Sequence, residues 1–140
     1  MKLKKLIPFC FLFIGTLFLP QFSFAEEKIE VITLIQTSKG LSGKNFNYQE
    51  GKPELRLLKV KIPAGIETPI HTHPSPMLVH VTRGRLKHVR GEEINYFKAG
   101  DTFVESNNGG AHYVKNIGKK PVILHVGVIS VVGVPTTINK

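Results

Sequence analysis

Three histidines supply the most reactive constellation in the sequence. His71 and His73 are separated by one residue within GIETPIHTHPSPMLVHVTRG, residues 65–84, between a glycine-led turn and a β-branched run. Side chains at i and i+2 of a strand share a face, so both imidazoles are expected to project together. His112 follows a second glycine-rich turn, and Asn116 lies four residues beyond it. Neutral imidazoles converging inside a barrel make a site for one divalent transition metal: iron, copper, manganese, nickel or zinc.

The remaining ionisable residues read as structural. His80 has the opposite parity to Met77 and Val79 and is expected to face away from the site. His88 lies among Lys87 and Arg90 in a hairpin strand and reads as exposed, whereas His125, among Val and Leu on the last strand, reads as a core histidine rather than a ligand. Glu67 and Glu105 are the carboxylates nearest the histidine segments; either could serve as an acid or base, but a solvated turn residue is the better reading of each. No Ser-His-Asp order, phosphate loop or paired-carboxylate pattern is visible.

Positioning these histidines falls to short strands. Lys28–Gln36 is β-branched and apolar and predicts a first strand, followed by a long loop over Thr37–Pro53. Phe46 and Tyr48 in that loop either cover a pocket or plug one end of a barrel. Further strands are predicted at 54–62, 70–73, 77–82, 86–90, 93–97, 102–105, 111–115 and 121–132, separated by Gly-, Pro- and Asn-containing turns. Near-regular short strands with no helical period predict an all-β sandwich or barrel, and a jelly roll answers the pattern.

The two histidine segments resemble the paired motifs of the cupin family. Gly65, His71, His73 and Gly84 fall at the spacings of the first motif, with Met77 in the place of its glutamate. Gly100 opens the second motif, and His112 and Asn116 close it. Ser106 stands there for a proline and Asn108 for a glycine, and one extra residue precedes the histidine. The run GKPELRLLKVKIPAG followed by HTHPSP also resembles small secreted single-domain cupins. The resemblance implies a cupin-like jelly-roll (double-stranded β-helix) barrel, a metal on His71, His73 and His112, and pairing as a homodimer. Met77 is then either a soft thioether ligand that favours copper or apolar filler, and filler is the better reading.

At 140 residues the chain predicts one barrel domain over 54–134, preceded by a strand and loop over 26–53 and followed by a tail over 135–140. Residues 1–25 read as a signal peptide, with Lys2, Lys4 and Lys5 at its basic start, an apolar centre, and Ser23-Phe24-Ala25 as the cleavage site. The expected location is therefore periplasmic or secreted, with no membrane attachment after cleavage. Cleavage would remove Cys10, the one cysteine, and leave sixteen basic residues against ten acidic ones, a net charge of +6. Because that charge is dispersed along alternating strands, nucleic acid is not the expected partner; a small molecule is. Two readings follow: a metal-dependent oxygenase or related small-molecule enzyme, or a non-catalytic module that binds a metal or small ligand.

Overall fold

The computed structural model describes residues 28–140. Chain contacts divide into two units, Met1–Val31 and Ile32–Lys140. Within the first, Lys28–Val31 is exposed and belongs to no strand. The predicted signal peptide, residues 1–25, and Cys10 with it, lies outside the described residues.

The second unit is all β. Its strands are β1 (Pro53–Ile62), β2 (His71–Thr72), β3 (Met77–Arg83), β4 (Arg85–Arg90), β5 (Glu93–Lys98), β6 (Thr102–Glu105), β7 (Tyr113–Asn116), β8 (Val122–Val131) and β9 (Ile138–Asn139). One antiparallel sheet has the order β1-β8-β3-β6, and a second has the order β5-β4-β7. The β2–β9 pair adjoins the second sheet through a bridge between His71 and His112. This is the jelly-roll barrel that the strand spacing implied.

Strict alternation builds the interior. Along β8, Val122, Leu124, Val126 and Val128 are buried, while the residues between them lie outward. Val79 and Val81 of β3, Leu86 of β4 and Phe103 of β6 complete the same core. Burying side chains of that size stabilises the fold by roughly 1.5–3 kcal/mol each. Gly84 makes the β3–β4 turn possible: its φ is +90°, and a Cβ there would come within 2.8 Å of Val122 Cγ2.

Several sequence expectations need correction. Lys28–Gln36 forms no strand and is largely exposed, because β-branched composition favours a strand only where a partner offers hydrogen bonds. His125 is not a core histidine. Its odd position on β8 turns it outward, opposite His80 and Lys59 on the flanking strands. Within the tail over 135–140, Ile138–Asn139 pairs with β2 and Lys140 N–H donates to Ile70 O at 2.9 Å. Phe46 lines a groove with Pro76, Met77 and Ile129, and Tyr48 is 68 % exposed, so neither ring covers the histidine cavity.

Candidate metal centre

The convergence of the two histidine segments follows from one backbone pairing. His71 N–H donates to His112 O, and His112 N–H donates to His71 O, both at 2.9 Å. Residues that exchange both bonds across antiparallel strands place their side chains side by side on one face. His73, two residues along, joins them: ring centroids lie 4.5 Å apart for His71–His112, 4.8 Å for His71–His73 and 5.1 Å for His73–His112. One nitrogen from each ring falls within 4.8 Å of the other two, and all three residues are buried.

Each ring is oriented by a backbone carbonyl. Nδ1 of His71 meets Pro69 O at 2.7 Å, Nδ1 of His73 meets Thr136 O at 3.0 Å, and Nδ1 of His112 meets Gly110 O at 3.3 Å. A carbonyl only accepts, so each Nδ1 carries the proton and each Nε2 presents a bare lone pair. Such outer hydrogen bonds fix the tautomer that a metal requires. Burial pushes the His112 ring down to about 4 and lowers His73 as well, so both rings are neutral at physiological pH.

A stability prediction follows from these shifts. Unfolded, His112 takes a proton near the ordinary 6.5; folded, it does so only near 4. As pH falls from 6.5 toward 4, the unfolded chain binds more protons and folding stability is lost, on the order of 3 kcal/mol for a shift of this size. Thermal melts of chelator-treated protein at pH 7.5 and 4.5 are expected to show a clear fall; equal midpoints would contradict neutral buried rings.

Behind His73 lies a polar clamp that sequence reading does not reveal. Arg56 on β1 donates to Thr136 Oγ1 at 2.7 Å, to Val134 O at 2.6 Å and to Ser130 Oγ at 3.1 Å, so it holds the tail whose carbonyl orients His73. Ser130 Oγ also meets Ser75 Oγ at 2.8 Å, and Ser75 donates to Gln49 Oε1 at 2.9 Å. Asn116, which closes the second motif, is fully buried and structural. Its amide donates to Ile62 O and Lys120 O at 2.9 and 3.0 Å, and its oxygen accepts from Gly118 N–H at 2.8 Å.

Two expectations about site residues reverse. His88 is not exposed but fully buried, with its ring stacked on His112 at 4.7 Å. Glu105 is not a solvated turn residue either; it is 3 % exposed, with Oε1 2.6 Å from His88 Nε2 and 3.7 Å from His112 Nε2. Arg90 donates to Glu105 Oε2 at 2.6 Å. Burial alone would raise the Glu105 carboxyl, but His88, His112 and Arg90 outweigh it and hold it below the ordinary value. Parity was the available signal, because His88 shares the inward face of Leu86 on β4 and Glu105 that of Phe103 on β6. Glu67 does stay at the surface, paired with Lys115 at 3.2 Å. His80 faces away from the site as expected and meets Thr102 Oγ1 at 2.8 Å.

These groups open onto a cavity of about 280 Å³ inside the barrel, lined by the three histidines, Met77, Glu105 and an otherwise mainly apolar wall. Met77 is 5 % exposed, belongs to the hydrophobic core, and pairs in register with Glu105 across β3–β6. Directly paired residues share a face, so the carboxylate enters the cavity beside the thioether.

A family model described as "Cupin domain" matches residues 58–131, more than half of the chain. Solved structures show the same architecture. The Cnp3 cupin domain of Schizosaccharomyces pombe is 23% identical with a TM-score of 0.51, over 59% of this chain and 57% of that one. Oxalate decarboxylase of Lactobacillus farciminis is 26% identical with a TM-score of 0.51, over 61% of this chain and 26% of that one. The polyketide cyclase RemF of Streptomyces resistomycificus is 15% identical with a TM-score of 0.52, over 64% of this chain and 61% of that one. The chain thus spans less than two thirds of each of these proteins. No curated protein sequence matches it.

Proposed function

The chain belongs to the cupin family, and from that premise we propose that it binds one divalent transition metal on His71, His73 and His112 and acts on a small molecule held in the barrel. The single observation behind this reading is the convergence of three buried imidazoles, one nitrogen of each within 4.8 Å of the others and each Nδ1 set against a backbone carbonyl. A divalent ion there would supply Lewis-acid polarisation of a substrate oxygen or one-electron chemistry. The chain's own residues do the rest: the apolar wall excludes water, and Glu105 and Arg90 set the local charge. Because those two form a neutral pair and burial keeps His73 and His112 neutral, the ion's charge is left to attract an anionic substrate group. Oxygenase or related small-molecule chemistry is the activity this arrangement suits. Elemental analysis of purified protein, before and after reconstitution with iron, copper, manganese, nickel and zinc in turn, is expected to find about one ion per chain. Protein that stays metal-free with all five would end the reading.

A second reading, a non-catalytic metal or small-ligand carrier, is favoured by Met77 in the place where the family motif has its glutamate. Metal-loaded protein that takes up carboxylate ligands without converting any would support it. Met77 itself is expected to set metal preference without being essential. Met77→Leu keeps the packed volume and should cost under about 1.5 kcal/mol of stability. Met77→Glu adds an oxygen ligand and should favour manganese and iron(II) over copper. Identical metal titrations of wild type and both variants would make Met77 core filler only.

We also propose export to the periplasm or the extracellular medium with removal of residues 1–25, on the basic, apolar and small-residue pattern of that segment. The intact mass of exported protein is expected to begin at Glu26; a chain retaining Met1–Ala25 would refute cleavage. Leu55 and Leu57, each 80 % exposed on the outer face of edge strand β1, support pairing of two copies.

A further inference from the structure

Buried polar atoms without a hydrogen-bond partner gather around Glu105, which lines the cavity. They are Nδ1 and Nε2 of His88, Nε and Nη1 of Arg90, and Oε1 of Glu105; among the described residues the remaining one is Ser42 Oγ. His88 Nε2 comes within 2.6 Å of Glu105 Oε1, a contact that helps lower the Glu105 carboxyl although its alignment is poor for a hydrogen bond. His112 Nε2 faces the same oxygen at 3.7 Å. That nitrogen carries no proton, because Nδ1 of the same ring donates to Gly110 O. A lone pair and a carboxylate oxygen held face to face in a buried site repel each other unless a cation or a hydrogen-bond donor lies between them. A proton shared by His88 and Glu105 would satisfy those two groups and still leave His112 opposed.

We propose that His88, Glu105 and His112 form a second position for the metal ion, deeper in the barrel than the three-histidine position and mutually exclusive with it. One ligand atom from each of the three lies within 4.8 Å of the others, and all three residues are buried. Glu105 and His112 line the cavity, which gives an ion access. Both positions require His112 Nε2, the one lone pair that ring has to give, so a chain holds one ion at a time. The deeper set brings a carboxylate oxygen where the outer set brings none, so it suits harder ions such as manganese. Arg90, bonded to the other carboxylate oxygen at 2.6 Å, holds Glu105 in place for it.

The inference rests on the reading of this barrel as a metal site, and the test separates the two. Manganese and zinc, each alone, are titrated into the full chain, the H71A/H73A variant, and the same variant carrying His88→Phe. Phenylalanine keeps the stack on His112 and removes the ligand. Wild type is expected to saturate at one ion. H71A/H73A should still bind one manganese ion, within about a hundredfold of the wild-type affinity, and His88→Phe should remove that residual binding. Ring-nitrogen NMR shifts of His88 and His112 on adding zinc to H71A/H73A decide the matter if the triple variant fails to fold. Loss of all binding in H71A/H73A, while wild type binds one ion, overturns the second position alone. Residual binding indifferent to His88 overturns it too, and saturation of wild type at two ions overturns exclusivity. Wild type that binds no ion overturns both readings.

Discussion

Replacing His112 with alanine is expected to leave the protein unable to hold a divalent ion, whichever metal is offered. His112 provides the nitrogen common to every buried cluster of potential ligands among the described residues. Its loss should therefore exceed the roughly 10–100-fold that removing an outer hydrogen-bond partner costs. The backbone pairing with His71 does not depend on the ring, and the apolar strands supply the core, so the fold should persist. Equilibrium dialysis together with far-ultraviolet circular dichroism separates loss of metal from loss of fold. A His112→Ala protein that keeps wild-type affinity would remove His112 from the site.

Glu105→Ala is expected to give the largest loss of stability of any single substitution in the site. The carboxylate is the partner of Arg90 at 2.6 Å and the neighbour of His88, and Arg90 has two further buried nitrogens with no hydrogen-bond partner. Removing one member of a buried ion pair leaves the other charge uncompensated, at about 3–5 kcal/mol. In a domain of this size that lowers the melting midpoint by more than about 10 °C. Replacing both partners with apolar residues, as in E105M/R90M, should recover much of the loss, because neither charge is then stranded. Thermal melts of the three proteins are the measurement. A single variant that melts within about 2 °C of wild type would show that water already screens Arg90.

The difference between what was legible in the sequence and what was not is a difference of range. The histidine pair, the later histidine and the turn glycines lie close together along the chain, so spacing and strand parity were enough to bring three rings to one interior. The rings of His71, His73 and His112 do converge. His88 and Glu105 went unrecognised because charged neighbours such as Lys87 and Arg90 suggested a wet strand, although Leu86 and Phe103 fixed both parities inward. His125 erred in the other direction for the same reason. Contacts distant in sequence had no local signature at all. Arg56 reaches Thr136 and Val134, and β9 returns to β2, only once the barrel has closed. The β-branched run at Lys28–Gln36 shows the converse limit, since strand propensity without a paired neighbour leaves a chain exposed and outside any strand.

The most direct test of a three-histidine metal centre is anomalous diffraction from crystals of the full chain grown with zinc. The expected result is one anomalous peak about 2.0–2.1 Å from Nε2 of His71, His73 and His112, with the three Nδ1–carbonyl hydrogen bonds in place. A peak held without His71 and His73, or crystals with no anomalous peak inside the barrel, would contradict it.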